Sequence, residues 1–240
     1  MLPAAHLTLL HWHYIVSLYD VMLALGVSIG ILLAVRRASE PDVVMVVATL
    51  AAVAGVAAAD GWHRALHASP GLSSMGGITG ALAAVAVAAR VARVPARELL
   101  DAIAPGALAG FAIGRVGCLL AGCCYGRVTS WGWGIVLPSV GPDARHPVQL
   151  LEAVLDVAVA CWCARATASG LVAARAAIGY AAVRMLLEPL RDPAAADVVT
   201  ASGVSAVPWG ALGLVVLGVA LAGRPREWLR LDGASRSMRG

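Results

Sequence analysis

The sequence predicts an all-α fold, a polytopic integral membrane protein with about seven transmembrane helices, and three observations carry that reading. Of its 240 residues, 60% are hydrophobic and only 13% are charged, against roughly 25% charged in soluble domains. Mean hydropathy is high, at +0.82. Apolar stretches of about 20 residues recur along the whole length, each long enough to cross the hydrocarbon core of a bilayer.

The spans follow in order. The first is expected near 14–35, opened by His11-Trp-His-Tyr14 and closed by Arg36 and Arg37. The second, near 43–59, is one of the two shortest, with Asp60 marking its exit. Spans three to seven fall near 76–92, 102–122, 147–165, 171–190 and 204–223. Pro95, Pro105, Pro147, Pro189 and Pro208 fall near span ends or first turns, where proline is tolerated. The interruptions are 60–75, 123–146 and 191–203. Residues 1–240 thus read as a single transmembrane domain with 224–240 as a basic cytoplasmic tail. No soluble domain, cleavable signal peptide or internal repeat is expected, which argues against transporters built from inverted repeats.

All 18 basic residues are arginine, and lysine and asparagine are absent. That bias points to genomic base composition. The pI near 9.0 calls for no nucleic-acid partner, because basic loops against anionic lipid account for it. The arginines also orient the chain. Arg36, Arg37, Arg90, Arg93, Arg97, Arg165, Arg175 and five in the tail lie on one side; Arg64, Arg127, Arg145 and Arg191 lie on the other. By the positive-inside rule, the N-terminus is outside and the C-terminus is cytoplasmic.

This topology assigns depths to the charges left in the apolar runs. Tyr14, Tyr19 and Asp20 fall in the outer half of span one, and Arg115 in the outer half of span four. Glu152 and Asp156 sit about one and two turns into span five, on one face because they are four apart. Arg184, Glu188 and Arg191 line the outer end of span six. A charge facing lipid is strongly disfavoured, so these residues are expected to converge on a polar cavity that opens outward. The segment 114–127 forms its floor: two arginines, three cysteines and four glycines end a hydrophobic run there.

The cysteines keep several readings open. Cys161 and Cys163 suit small apolar packing. Cys118, Cys123 and Cys124 sit where a disulfide or an arginine-activated thiolate fits, and a disulfide suits Cys118 with one of the other two. The two-residue spacing of common zinc motifs is missing, which counts against zinc. His63 and His67 with Asp60 offer a metal face, but Trp62 and Arg64 beside them favour an interfacial helix. His6, His11 and His13 read as surface groups. Trp131-Gly-Trp-Gly134 is an interface anchor or an acceptor-binding loop.

The pattern Gly114-Arg115-x-Gly117, eight residues, Gly126-Arg127 resembles the signature of the prolipoprotein diacylglyceryl transferase family. Three further blocks are similar in order and spacing: His146-Pro-Val-Gln149-Leu-Leu-Glu152, Arg184-Met-Leu-Leu-Glu188-Pro-Leu-Arg191, and the glycine-rich Gly71–Gly80. The resemblance covers nearly all of the chain. It implies a transferase of the bacterial inner membrane that moves a diacylglyceryl group from phosphatidylglycerol to the thiol of a lipobox cysteine in a prolipoprotein, releasing glycerol phosphate. The partners it implies are that phospholipid, the signal peptide of the acceptor and the membrane.

By the same resemblance, Arg115 and Arg184 would hold the headgroup and stabilise leaving-group charge, with Glu152 and Glu188 orienting them; removal of the thiol proton stays open between His146, His63, a carboxylate and the headgroup phosphate. Tyr14, Gly76, Gly77, Gly114, Gly117, Cys118, Gly126, Arg127, Gln149 and Arg191 would line the substrate site. No metal or cofactor is required. The chain departs from the family pattern at Met75, where the family has histidine, at Cys118 for asparagine and at Cys123 for glutamate. Methionine accepts no proton from a thiol. Two classes therefore stand at this stage, the lipid transferase and a non-catalytic lipid- or lipoprotein-binding protein derived from it.

Overall fold

The computed structural model of the chain describes residues 5–9, 12–67, 71–195 and 207–223, with side chains from Ser17 onward except His67. The side chains of Tyr14, His6, His13 and His67, together with His11 and the tail 224–240, lie outside the described residues. Seven α-helices are present among those described: α1 Leu18–Arg37, α2 Pro41–His67, α3 Ser74–Ala92, α4 Ala96–Ala121, α5 Val148–Ala164, α6 Leu171–Leu187 and α7 Val207–Ala222. The first four are long and apolar enough to cross a membrane, while α5 and α6 have 17 residues each and α7 has 16.

Several boundaries differ from the sequence expectation, each for a local reason. Before α1, strands β1 (Ala5–Leu9) and β2 (Trp12–Val16) pair antiparallel, so Tyr14 lies opposite Leu7 in a hairpin and the helix starts only at Leu18. Ser17 and Asp20 form a capping box: the Ser17 N–H donates to Asp20 Oδ2 at 2.9 Å, and the Asp20 N–H to Ser17 Oγ at 3.2 Å. Asp20 is therefore exposed and spent on its own helix start, and does not join the polar cavity. Helix α2 runs eight residues past the expected exit at 59, because nothing in Ala-Asp60-Gly-Trp-His-Arg64 breaks it and Asp60 pairs with Arg64 at 2.8 Å, one turn on. Helix α4 starts six residues early, behind Pro95, which leaves Pro105 inside the helix.

The helices are held by close backbone approach as much as by large side chains. Gly26 and Gly30 on α1 face Gly110 and Gly106 on antiparallel α4. A Cβ added at Gly26 would lie 2.7 Å from the Gly110 carbonyl oxygen, and one at Gly106 would collide with the Gly30 carbonyl. Small residues four apart on both helices permit that contact, as is usual where lipid supplies no hydrophobic drive. Further along the same contact, toward the end of α4, Gly117 receives Met22 and Tyr19 of α1. Beyond this pair, Ala34, Val44, Val47, Val85 and Leu99 pack together between α1 to α4, and Leu108, Cys163, Val172 and Tyr180 between α4 to α6.

The segment 123–146 has some regular pairing. Strands β3 (Ile135–Val136) and β4 (Ala144–Arg145) pair antiparallel, and isolated bridges join Gly126 to Arg191 and Val128 to Arg145. The connection thus folds back across the end of the bundle where α4 and α6 finish and α5 begins.

A candidate active site at one end of the bundle

Helices α4 and α6 run parallel, with α5 antiparallel between them, so Arg115, Arg184 and Glu152 come to one level. Glu152 is the hub. Its Oε1 accepts from Arg184 Nη1 and Arg191 Nη2, both at 2.6 Å, and its Oε2 lies 2.9 Å from Arg115 Nε. Glu188, one turn beyond Arg184, stands 3.7 Å from both Arg184 and Arg191. All three arginines are buried, and Glu152 is only 1% exposed. Removing such ions from water costs several kcal/mol each, a cost that attraction offsets only when the geometry is good.

The balance leaves room for an anion. Three guanidinium cations meet two carboxylates in contact, and Arg184 Nε and Nη2 and Arg191 Nε are buried without a hydrogen-bond acceptor among the described residues. Asp156, one turn deeper than Glu152, is also buried, and neither of its oxygens has a hydrogen-bond partner there. Arg115, Arg184 and Arg191 all line a cavity of about 1150 Å³. The rest of its wall is mostly apolar, from Val27, Ile31, Val85, Leu108 and Phe111 among others. Small-molecule pockets usually measure roughly 300–1,000 Å³, so this one has the size for a larger, mainly hydrocarbon ligand.

The backbone after α4 is pinned to the same cluster. Gln149, fully buried, donates through Nε2 to the Cys123 carbonyl at 2.8 Å, and Arg191 Nη1 donates to the Cys124 carbonyl at 3.0 Å. Arg145 stacks over Tyr125 with 4.6 Å to the ring centroid and pairs with Asp192 at 2.7 Å. Partial burial works against the Asp192 charge, but the Ala194 N–H and Arg145 outweigh it and hold the carboxyl below its usual range.

Of the residues singled out in the sequence, the structure brings together Arg115, Gln149, Glu152, Arg184, Glu188 and Arg191, and puts Gly77, Gly114 and Cys118 in the cavity wall. Others stand apart. His146 packs edge-on against Trp131 and Trp133, with centroids 5.7 and 6.1 Å away, and is not in the cavity wall. Arg127 is exposed and donates to the Arg191 carbonyl at 3.1 Å. Gly76 and Gly126 serve packing: a Cβ at Gly76 would meet Trp62 and Ala58, and one at Gly126 would meet His146. Met75 packs against Gly210 of α7.

Sequence reasoning passed over Tyr180 and Ser73. Tyr180 is buried, stacks on Phe111 at 5.5 Å, and presents a hydroxyl without a partner among the described residues to the same cavity. Its signal was available, since it lies four residues before Arg184 on one face of an alanine-rich span. Ser73, fully buried in the wall, caps α3 through Gly76.

Comparison with known proteins agrees with this architecture. The family model for prolipoprotein diacylglyceryl transferase matches residues 8–222. The phosphatidylglycerol–prolipoprotein diacylglyceryl transferase of Idiomarina loihiensis is 33% identical over 164 residues, covering 66% of this chain and 62% of its own. That of Rhizobium meliloti is 36% identical over 162 residues, 64% of this chain and 56% of its own, and that of Sinorhizobium medicae 34% over 158 residues, 60% and 56%. The chain thus spans about three fifths of the length of the relatives it matches. With nine tenths of its residues inside the family model, the chain belongs to the prolipoprotein diacylglyceryl transferase family.

Proposed function

We propose that this protein transfers a diacylglyceryl group from phosphatidylglycerol to the cysteine thiol of a prolipoprotein. One observation carries the reading: buried guanidinium donors of Arg184 and Arg191 that make no hydrogen bond among the described residues, at the polar end of a large apolar cavity. A phospholipid has the matching form, an anionic phosphodiester on two hydrocarbon chains. Arginine suits the phosphate because its planar fork donates to two oxygens at once and stays charged.

In the reaction the acceptor thiol gives up its proton to solvent, its sulfur attacks the glyceryl carbon, and the C–S bond forms as the C–O bond to phosphate breaks. The electron pair leaves on the phosphate oxygen, where Arg115, Arg184 and Arg191 stabilise it in a site of low dielectric. Glu152 acts as a positioning residue: it engages all three arginines and keeps them preorganised. Gly77, Gly114 and Cys118 complete the wall, Gln149 holds the Cys123 carbonyl behind it, and the hairpin carrying Tyr14 stands next to the start of α1. The relatives' names support the substrate pair.

The same reading places the protein in the bacterial inner membrane as one transmembrane domain, with the site toward the outside, the N-terminus outside and the C-terminus in the cytoplasm. A C-terminal reporter active only in the periplasm would reverse that topology. For the chemistry, purified protein is mixed with phosphatidylglycerol and a lipobox peptide, and the peptide is followed by mass spectrometry. The expected product is the peptide plus one diacylglyceryl group. No mass gain on any thiol peptide, under conditions where lipid binding is intact, refutes transfer.

A further inference from the structure

The arginine cluster accounts for the phosphate but not for the thiols beside it. Helix α4 ends in a Schellman turn: the Gly122 N–H donates to the Leu119 carbonyl at 3.2 Å and the Cys123 N–H to the Cys118 carbonyl at 3.0 Å, with Gly122 left-handed at φ 70°. That motif brings together the side chains of its first and last residues, here Cys118 and Cys123. Cys124, itself at φ 55°, turns its side chain back to the same point. The three Sγ atoms all lie within 4.8 Å of one another, and all five cysteines of the chain are free thiols. All three residues line the cavity.

We infer that Cys118, Cys123 and Cys124 form a trithiolate site for zinc, with its fourth coordination position open to the cavity to take the acceptor thiol. Zinc–sulfur bonds of about 2.3 Å put the sulfurs of a tetrahedral site about 3.8 Å apart, so the cluster closes by an ångström at most. Three protein ligands and one open position is the arrangement of catalytic zinc, and thiolates select soft cations. The charge is also tolerable. Three thiolates with one divalent ion carry a net single negative charge, and Arg115 lies one turn from Cys118 while Arg191 holds the Cys124 carbonyl. The backbone needs no rebuilding, because Gln149 and Arg191 already pin both carbonyls.

The role rests on the transfer reading above. A thiol that binds zinc loses its proton to solvent, and its sulfur keeps the pair that attacks the glyceryl carbon. The bond to phosphate breaks, and that electron pair leaves on the phosphate oxygen facing the arginines. Free cysteine, with a pKa near 8.5, is only about 3% thiolate at pH 7, so outright deprotonation by the metal raises the reactive fraction by about thirty-fold.

The test uses the reduced, purified protein and Co(II) as the optical probe. We expect one Co(II) per chain with thiolate-to-metal charge-transfer absorption, displaced by Zn(II) and lost in a C118S/C124S variant. Wild-type protein that shows no such absorption refutes the site, whatever its activity. In the transfer assay, chelation is expected to slow reaction with the peptide thiol by about thirty-fold, and added Zn(II) to restore it. Stoichiometric metal with a transfer rate indifferent to chelation refutes the open-position role. If no condition yields transfer, the proposed function fails, and the absorption experiment still decides the metal site.

Discussion

The two ends of the bundle use the same residue type in opposite ways. At one end Arg115, Arg184 and Arg191 are buried and bound side chain to side chain through Glu152. At the other, Arg37 and Arg97 reach out to the last carbonyls of neighbouring helices, Ala164 of α5 and Ala220 of α7, each at 3.3 Å. Acidic residues differ in parallel. Asp101 caps the start of α6, accepting from the Gly170 and Ala173 N–H groups at 2.5 and 2.8 Å, whereas Glu152 caps no helix and binds only arginines among the described residues. The difference teaches how to tell a structural charge from a functional one here. A charge at a helix terminus completes the backbone and complements its dipole. A cluster whose hub carboxylate meets only arginine side chains among the described residues, and which keeps donors in reserve, supports the ligand site proposed above.

The sharpest way to break this comparison is Glu152→Gln. Three buried guanidinium groups would lose their common counter-ion, so unfolding in detergent should show a loss of about 3–5 kcal/mol, together with loss of transfer. A change below about 1 kcal/mol would mean that the cluster is hydrated and the burial argument fails. Next comes Arg184→Lys, which keeps the charge but not the fork. The transfer rate should fall about a hundred- to a thousand-fold, the scale of one lost transition-state donor. Full activity in that variant would demote Arg184 to a structural ion.

Gly106→Leu probes the scaffold between the two ends. Its side chain enters the α1–α4 contact, and overpacking should cost about 1–3 kcal/mol of stability. Arg37→Ala should have the smallest effect, within about 0.5 kcal/mol and with transfer unchanged, since its exposed contact to Ala164 is easily replaced by water or lipid headgroups. A substantial loss there would erase the distinction between the ends.

The membrane class and the arginine–glutamate cluster were legible in the sequence for one reason: a charge within an apolar run is conspicuous and has few places to go. Arg115, Glu152, Arg184, Glu188 and Arg191 met as their depths implied. The same logic failed for Asp20, which serves Ser17 instead, because a charge near a span end has a second use as a cap. The glycine pairs at 26/30 and 106/110 carried a readable spacing of four, yet which helices they would join was not written in either segment alone.

By itself the sequence determined the seven helices, the level of each buried charge and the likeness to a family, because hydropathy period and isolated charges are local properties. Only the tertiary structure decided that Glu152 binds three arginines at once, that His146 and Arg127 lie aside, and that Tyr180 and three thiols look into one cavity. Spacing alone did not show that Cys118, Cys123 and Cys124 meet, since linear distance assumes a regular chain. A left-handed glycine at the end of α4 reverses the backbone, and that turn sets how far apart the sulfurs lie.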